Sequence, residues 1–245
     1  MKFMKRTGFL ALAALLIAAL LAAGCGKEEK KTLILGTSPD YPPYENVDTT
    51  TGEIIGFDID IAKFIAEELG YELQIEAMDF NGLVAALQAG RVDFVMAAMS
   101  VDPSRDVDFS DIYFVARNTI VSKEGYATLD ELSGKRVGVQ LGSTQEDVAE
   151  GIPDPGEIVP LNRIPEIIQE IKTGRLDAAI IEDAVAAGYV ANNPDLTFKV
   201  IESGTEEGYA VALPKGSDLL DDVNRALRKL EESGKKDELV KKWFE

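Results

Sequence analysis

Apolar and polar positions along the chain follow two alternating periods. After an apolar stretch from Phe9 to Ala23 and a short charged run, Leu33-Ile34-Leu35 reads as a buried strand closed by Gly36. A helix follows in which Ile61, Ile65 and Leu69 recur every four residues, with Asp58 as its N-cap and Gly70 as its stop. Tyr71, Leu73, Ile75 and Ala77 alternate with Glu72, Gln74 and Glu76, which is the period of a strand. The pattern then predicts a helix over 82–89, capped by Asn81 and stopped by Gly90, and a strand over 92–98. Strands alternating with helices point to parallel βαβ units and an α/β fold. The last segment, Leu219 to Phe244, is helical, with Val223, Leu227 and Leu230 on one stripe.

Self-similarity sharpens the picture. Leu87-Gln88-Ala89-Gly90-Arg91-Val92-Asp93 is echoed by Ile171-Lys172-Thr173-Gly174-Arg175-Leu176-Asp177, and each copy joins an apolar-periodic helix to an apolar strand. A second echo pairs Leu35-Gly36-Thr37-Ser38 with Leu141-Gly142-Ser143-Thr144. Two echoes in the same order predict two α/β lobes of related design. The first lobe is expected at 32–117 and 208–245, with the C-terminal helix returning to it, and the second at 118–207. Strands near 117–121 and 205–210 would cross between them as a hinge around a cleft, the closure architecture of periplasmic binding proteins.

Composition removes several kinds of chemistry. With 43 acidic and 25 basic residues the formal charge is −18, which disfavours nucleic acid as a partner. The absence of histidine excludes His-based triads and His-ligated zinc, and one cysteine, Cys25, permits no internal disulfide or Cys cluster. Neither a metal nor a cofactor is expected. Lys2, Lys5 and Arg6 ahead of the apolar stretch, with small residues after it, describe a secretory signal over 1–24. The competing reading is an uncleaved anchor, but the stretch is shorter than the ~20 residues of a spanning helix. Leu21-Ala22-Ala23-Gly24-Cys25 resembles the lipobox of bacterial lipoproteins, although Ala22 stands where that motif prefers Leu. The resemblance implies lipidation of Cys25 and a tether over 25–31, holding the protein outside the cytoplasmic membrane. Cleavage there would leave the mature chain three charges more negative.

Ligands of open parallel sheets bind outside the carboxyl ends of the strands. Four such ends are available: Thr37 to Tyr41, Ala97 to Ser100, Gly142 to Gln145, and Ile181 to Asp183, with Arg105 five residues beyond Ser100. From spacing alone, Arg105 among Asp102, Asp106 and Asp108 is equally a surface ion pair. Tyr41 and Phe80 could likewise be core aromatics.

The chain also resembles the polar amino-acid family of bacterial extracellular solute-binding proteins. The resemblance is carried by Gly36-Thr37-Ser38-Pro39-Asp40-Tyr41-Pro42-Pro43-Tyr44-Glu45, Gly56-Phe57-Asp58-Ile59-Asp60, Met78-Asp79-Phe80-Asn81-Gly82-Leu83, Asp108-Phe109-Ser110-Asp111, Gly134-Lys135-Arg136-Val137-Gly138-Val139 and Lys242-Trp243-Phe244. It implies a two-lobed type II periplasmic-binding-protein-like fold, capture of an amino acid without catalysis, and delivery to an ABC-transporter permease. It further implies that Arg105 clamps the ligand α-carboxylate and that the hydroxyl and amide of Thr144 add donors from the second lobe. Glu182, standing where the family usually carries Asp, would hold the α-ammonium beside Ser100 and the Ala98 carbonyl. Tyr41 and Phe80 would sandwich the ligand side chain, with Tyr44 on the same wall. Ala97 and Ala98 replace residues that are often small and polar in relatives. Ser38, Gln140 and Ser143 complete the expected set.

Ser38 occupies a place where several binders of cationic amino acids carry Asp, but Asp40, Glu45 and Asp79 lie near enough in sequence to meet a cationic side chain. Ile164-Pro165-Glu166-Ile167-Ile168 and Ile181-Glu182-Asp183 look most like the arginine-type branch. Arginine or a related basic amino acid is therefore the favoured ligand, and the negative field would speed its arrival. A monomer is expected. The alternatives are a dehydratase-like enzyme on this scaffold, with Glu182 as general acid, and a sensory ectodomain serving a separate signalling partner.

Overall fold

The computed structural model of the protein describes residues 31–202 and 207–245. The leader, Cys25 and nearly all of the tether lie outside the described residues, as do 203–206 near the second expected crossing strand. No helix among the described residues is long and apolar enough to cross a membrane.

The chain opens with β1 (Thr32–Thr37) and a small antiparallel sheet of β2 (Asp40–Tyr41), β3 (Glu45–Val47) and β4 (Ile54–Ile55). Helix α1 (Phe57–Leu69), β5 (Glu72–Ala77), a tight turn at Phe80–Gly82, α2 (Leu83–Gln88) and β6 (Phe94–Val95) follow. The chain then forms β7 (Asp108–Phe109), β8 (Phe114–Ala116) and β9 (Asn118–Ser122). The middle of the chain alternates β10 (Arg136–Gln140), α3 (Thr144–Glu150), β11 (Glu157–Leu161), α4 (Ile164–Lys172), β12 (Ala178–Glu182), α5 (Asp183–Ala191) and β13 (Thr197–Val200). It ends with β14 (Glu207–Tyr209), β15 (Ala212–Leu213), α6 (Leu220–Glu232) and α7 (Lys235–Phe244).

Two five-stranded sheets organise two lobes. Their orders are β5-β1-β6-β15-β7 and β11-β10-β12-β9-β13. In both, the second strand of the order, β1 or β10, pairs in parallel with its two neighbours, and the fourth strand runs antiparallel to the third. β8 and β14 pair antiparallel as a separate ribbon.

The sequence echo has a structural cause. Gly90 and Gly174 take the left-handed conformation just beyond α2 and α4, at φ 66° and 74°. The aspartate three residues on then ties its turn to β1 in the first lobe and to β10 in the second. Asp93 accepts from the Ile34 amide at 2.7 Å, and Asp177 accepts from the Arg136 amide at 2.8 Å. Each returns its own amide to the carbonyl of the same residue. Gly-Arg-apolar-Asp thus satisfies backbone groups near the start of β1 and of β10, once in each lobe.

Four local expectations require correction. Asp58 does not cap α1; Gly56 does, and Asp58 lies fully buried in the first turn with its carboxylate turned inward. Asn81 sits in the tight turn, and Gly82 precedes α2 without a side-chain cap. The strand expected over 92–98 is paired only at Phe94–Val95, because the backbone soon turns and Ala98 reaches φ 44°. The C-terminal helix is two helices, divided where Gly234 turns left-handed.

Gly56 holds the start of α1 against the preceding segment, with the Phe57 and Asp58 amides donating to the carbonyls of Pro43 and Tyr44. Its φ is 148°, and a Cβ there would stand 1.9 Å from the Tyr44 carbonyl oxygen. Gly56→Ala is expected to destabilise the protein by more than about 2 kcal/mol, because neither backbone segment can yield without breaking this junction. Urea unfolding measures it; an unchanged midpoint would show that the junction relaxes freely.

Candidate functional site

A tight polar cavity of only about 10 Å³ lies between the lobes. The first lobe contributes Tyr41 and Phe80, the turn Ala97, Ala98 and Ser100 beyond β6, and Arg105. The second contributes Gln140 at the end of β10, then Ser143, Thr144 and Gln145 at the start of α3. Parallel pairing of β1 with β6 and of β10 with β12 puts the carboxyl ends of each pair on one edge of its sheet, and Ala97 to Ser100 and Gln140 to Thr144 follow those ends into the cavity.

The charged centre of the cavity is Arg105. Its Nη2 donates to the Gly142 carbonyl across the cleft at 3.0 Å, and its Nε lies 3.6 Å from Asp102 Oδ2. The guanidinium carbon stands 5.5 Å from the centre of the Phe80 ring, within cation–π range. Beside it, the Thr144 hydroxyl donates to Ser100 Oγ at 3.3 Å, again across the cleft. A guanidinium and two hydroxyls directed at one enclosed space suit a small carboxylate, which accepts from all three and would be poorly served by an apolar wall.

Gln140 donates to the Asn162 carbonyl, and Ser143 donates back to the Gln140 carbonyl at 2.7 Å. Gln145 belongs to the strand end over 142–145 expected at the cleft, although the sequence assigns it no role there. It is buried and donates to Asn118 Oδ1 at 2.8 Å. The signal was present, since Gln145 directly follows Thr144 in the first turn of α3.

Four expected residues stand elsewhere. Tyr44 is fully buried in an aromatic cluster, its ring centre 5.3–5.5 Å from those of Phe114, Tyr209 and Phe244. Its hydroxyl donates to Glu182 Oε1 at 2.8 Å, and the Val185 amide donates to Glu182 Oε2 at 2.9 Å. Glu182 is therefore the N-cap of α5 and does not line the cavity. Burial, with Asp183 adding to it, pushes the Glu182 carboxyl up to about 8 against the lowering effect of the Val185 amide and the Tyr44 hydroxyl.

Ser38 and Asp40 are also buried outside the cavity lining. Ser38 donates to Asp40 Oδ1 at 3.1 Å, while Asp40 Oδ2 accepts the Ile164 amide of α4 at 3.0 Å. Tyr189 donates to the Asp40 carbonyl at 2.9 Å. Asp40 therefore fastens the two lobes together. Asp79 does the same at the surface through Arg163 at 2.5 Å, and Glu45 lies wholly buried beside Asp58. None of these three acids lines the cavity.

Comparison with known proteins agrees with this architecture. The family model for bacterial extracellular solute-binding proteins, family 3, matches residues 33–245. The chain is 45% identical over 253 residues to the arginine-binding extracellular protein ArtP of Bacillus subtilis, covering 98% of each chain. An ancestral arginine-binding protein solved with arginine bound superposes with a TM-score of 0.83 at 38% identity, covering 89% of this chain and all of that one. An ancestral amino-acid-binding protein described as a precursor of cyclohexadienyl dehydratase superposes at 0.79 with 36% identity, covering 87% of this chain and 96% of that one. With two lobes of matching topology, a cavity between them and a family match across nearly every described residue, the chain belongs to family 3 of the bacterial extracellular solute-binding proteins and has their type II two-lobed fold.

Proposed function

We propose that the protein is the substrate-binding component of an ABC importer, capturing L-arginine or another basic amino acid. One observation carries this reading: Arg105 and Ser100 of the first lobe meet Gly142 and Thr144 of the second at one cavity walled by Tyr41 and Phe80. Arg105 grips the ligand carboxylate, the hydroxyls of Ser100 and Thr144 add polar partners from opposite lobes, and the two rings flank its side chain. Only the shut form offers both halves, so the ligand shifts the hinge equilibrium toward closure by its preference for that form. The closed shape is then what the permease reads.

The proposed lobes are 32–117 with 208–245, and 118–207. A lipid on Cys25 would hold the protein, as a monomer, outside the cytoplasmic membrane. Arginine is favoured by the 45% identity to an arginine-binding relative and by the charge of −18, which draws cations inward. Binding is preferred to catalysis because both Glu182 oxygens are engaged outside the cavity, so the one acid cast as a proton donor does not face it.

A thermal-shift screen of the amino acids tests this. A ligand present at 100 times its Kd adds about 2.7 kcal/mol of stability, so basic amino acids should raise the midpoint and aspartate should not. A flat response to every amino acid would overturn the reading.

A further inference from the structure

Beneath the cavity wall lies a group of buried acids that ligand contact does not use. Asp58 Oδ2 accepts the Ala98 amide at 2.8 Å and the Tyr113 hydroxyl at 2.7 Å. Ala98, which lines the cavity, is thereby held at φ 44°, a conformation that side chains other than glycine's rarely adopt unless their surroundings impose it. Glu45, from β3, is fully buried against Asp58. Neither Glu45 oxygen nor Asp58 Oδ1 receives an N–H or O–H from another described residue. Two carboxyl groups in contact satisfy each other only when one of them carries a proton.

We infer that Glu45 and Asp58 form a carboxylic acid–carboxylate pair that positions the ligand wall: protonated Glu45 donates to Asp58, and the Asp58 carboxylate fixes Ala98 in its left-handed turn so that the strand end faces the ligand. The inference rests on the cavity between the lobes being the ligand site. It assigns a task to Gly56-Phe57-Asp58, which otherwise reads only as a helix start. Gly56 brings Asp58 and the Tyr44-Glu45 segment together, and the two acids then act on the far side of the sheet end.

The electrostatics agree with the direction of donation. Burial raises Glu45 well above the usual carboxylate range, and Asp58, Asp40 and Glu182 raise it further. Burial pushes Asp58 up to about 7, opposed by the Ala98 amide, the Tyr113 hydroxyl and Glu45 itself. The titratable groups acting on the pair are the acids Asp40 and Glu182 and the buried phenols Tyr41, Tyr44 and Tyr113, with no cation among them. Glu45 keeps its proton, and Asp58 is the member that ionises near neutrality.

The test combines amide-proton NMR of ligand-free protein with arginine calorimetry, applied to the unaltered chain, Glu45→Gln and Asp58→Asn. In the unaltered protein the Ala98 amide proton should lie downfield at pH 8 and move upfield as the pH falls through about 7. Glu45→Gln keeps a donor to Asp58, and should keep both the downfield signal and an arginine affinity within about threefold. Asp58→Asn replaces the carboxylate with a weaker acceptor, so it should shift the signal upfield, abolish its pH response and weaken binding about tenfold or more. A signal that ignores pH in the unaltered protein, or an Asp58→Asn protein with unchanged signal and affinity, overturns the inference. Should Asp58→Asn fail to fold, the unaltered protein and Glu45→Gln still decide it. If no arginine binds to the unaltered protein, the ligand reading fails while the amide response continues to judge the acid pair separately.

Discussion

Arg105→Ala is expected to weaken arginine binding by about 3–5 kcal/mol, roughly two to four decades in Kd. Arg105 is nearly buried, with 10% of its side chain exposed, and it already spans the cleft to the Gly142 carbonyl. Removing it leaves the ligand carboxylate desolvated and short of its only cationic partner in the lining, along with the Gly142 carbonyl it served. Arg105→Lys retains the charge but loses the planar fork, so it should fall between the two. If the residue were instead one half of an ordinary surface pair with Asp102, its loss would be worth under about 1 kcal/mol. Calorimetry separates these outcomes, and a change of less than fivefold in Kd would remove Arg105 from the site.

The second large effect is on stability. Four buried carboxyls have their proton affinity raised by the fold: Asp58 up to about 7, Glu182 up to about 8, and Glu45 and Asp40 in the same direction. Desolvation is the leading cause for each. A raised acid binds its proton more tightly folded than unfolded, so its contribution is complete below the ordinary carboxylate pKa and disappears as pH rises through the folded value. Stability should therefore decline between about pH 4.5 and pH 8, by several kcal/mol in total, since each tenfold gain in proton affinity on folding corresponds to about 1.36 kcal/mol. Surface acids such as Asp48, Glu170 and Glu238 are shifted downward and act in the opposite sense at lower pH. The optimum should thus fall in the mildly acidic range. Melting temperatures measured from pH 4.5 to 8.5 check this, and Glu182→Gln should flatten the upper part of the curve. A midpoint that rises toward pH 8 would contradict it.

Much of the fold was legible in the sequence because its signals are local and repeated. The Gly-Arg-apolar-Asp echo marks a turn whose aspartate makes the same two bonds in both lobes, so the likeness of two segments in sequence became a likeness of two sheets. The alternation over 71–77 likewise reads directly as the edge strand β5. What misled were short polar residues next to helix starts. Asp58 and Asn81 have the chemistry of caps, but Gly56 occupies the first position with a backbone angle few other residues reach, and Asp58 is drawn inward by Ala98 and Tyr113, which are distant in sequence.

The site divides in the same way. Residues at strand ends, such as Ser100, Gln140 and Thr144, follow from the rule for parallel sheets, and Arg105 lies near enough to its strand end to follow as well. Glu182 also sits at a strand end, yet it opens a helix, and a carboxylate in that position can bond its own backbone instead of the cavity. Tyr44 could not be separated from Tyr41 by spacing. Its fate depends on Phe114, Tyr209 and Phe244, which come from the ribbon of β8 and β14 and from the far end of the chain. Asp40 shows the same limit, because its partner Ile164 lies 124 residues away.

The central physical claim is that both lobes close on a carboxylate held by Arg105. Comparing L-arginine with L-argininamide, which keeps the side chain and the ammonium but lacks the anionic group, tests it most directly by calorimetry. Arginine should bind and the amide should bind at least about a hundredfold more weakly; equal affinity for the two would show that Arg105 does not hold the carboxylate.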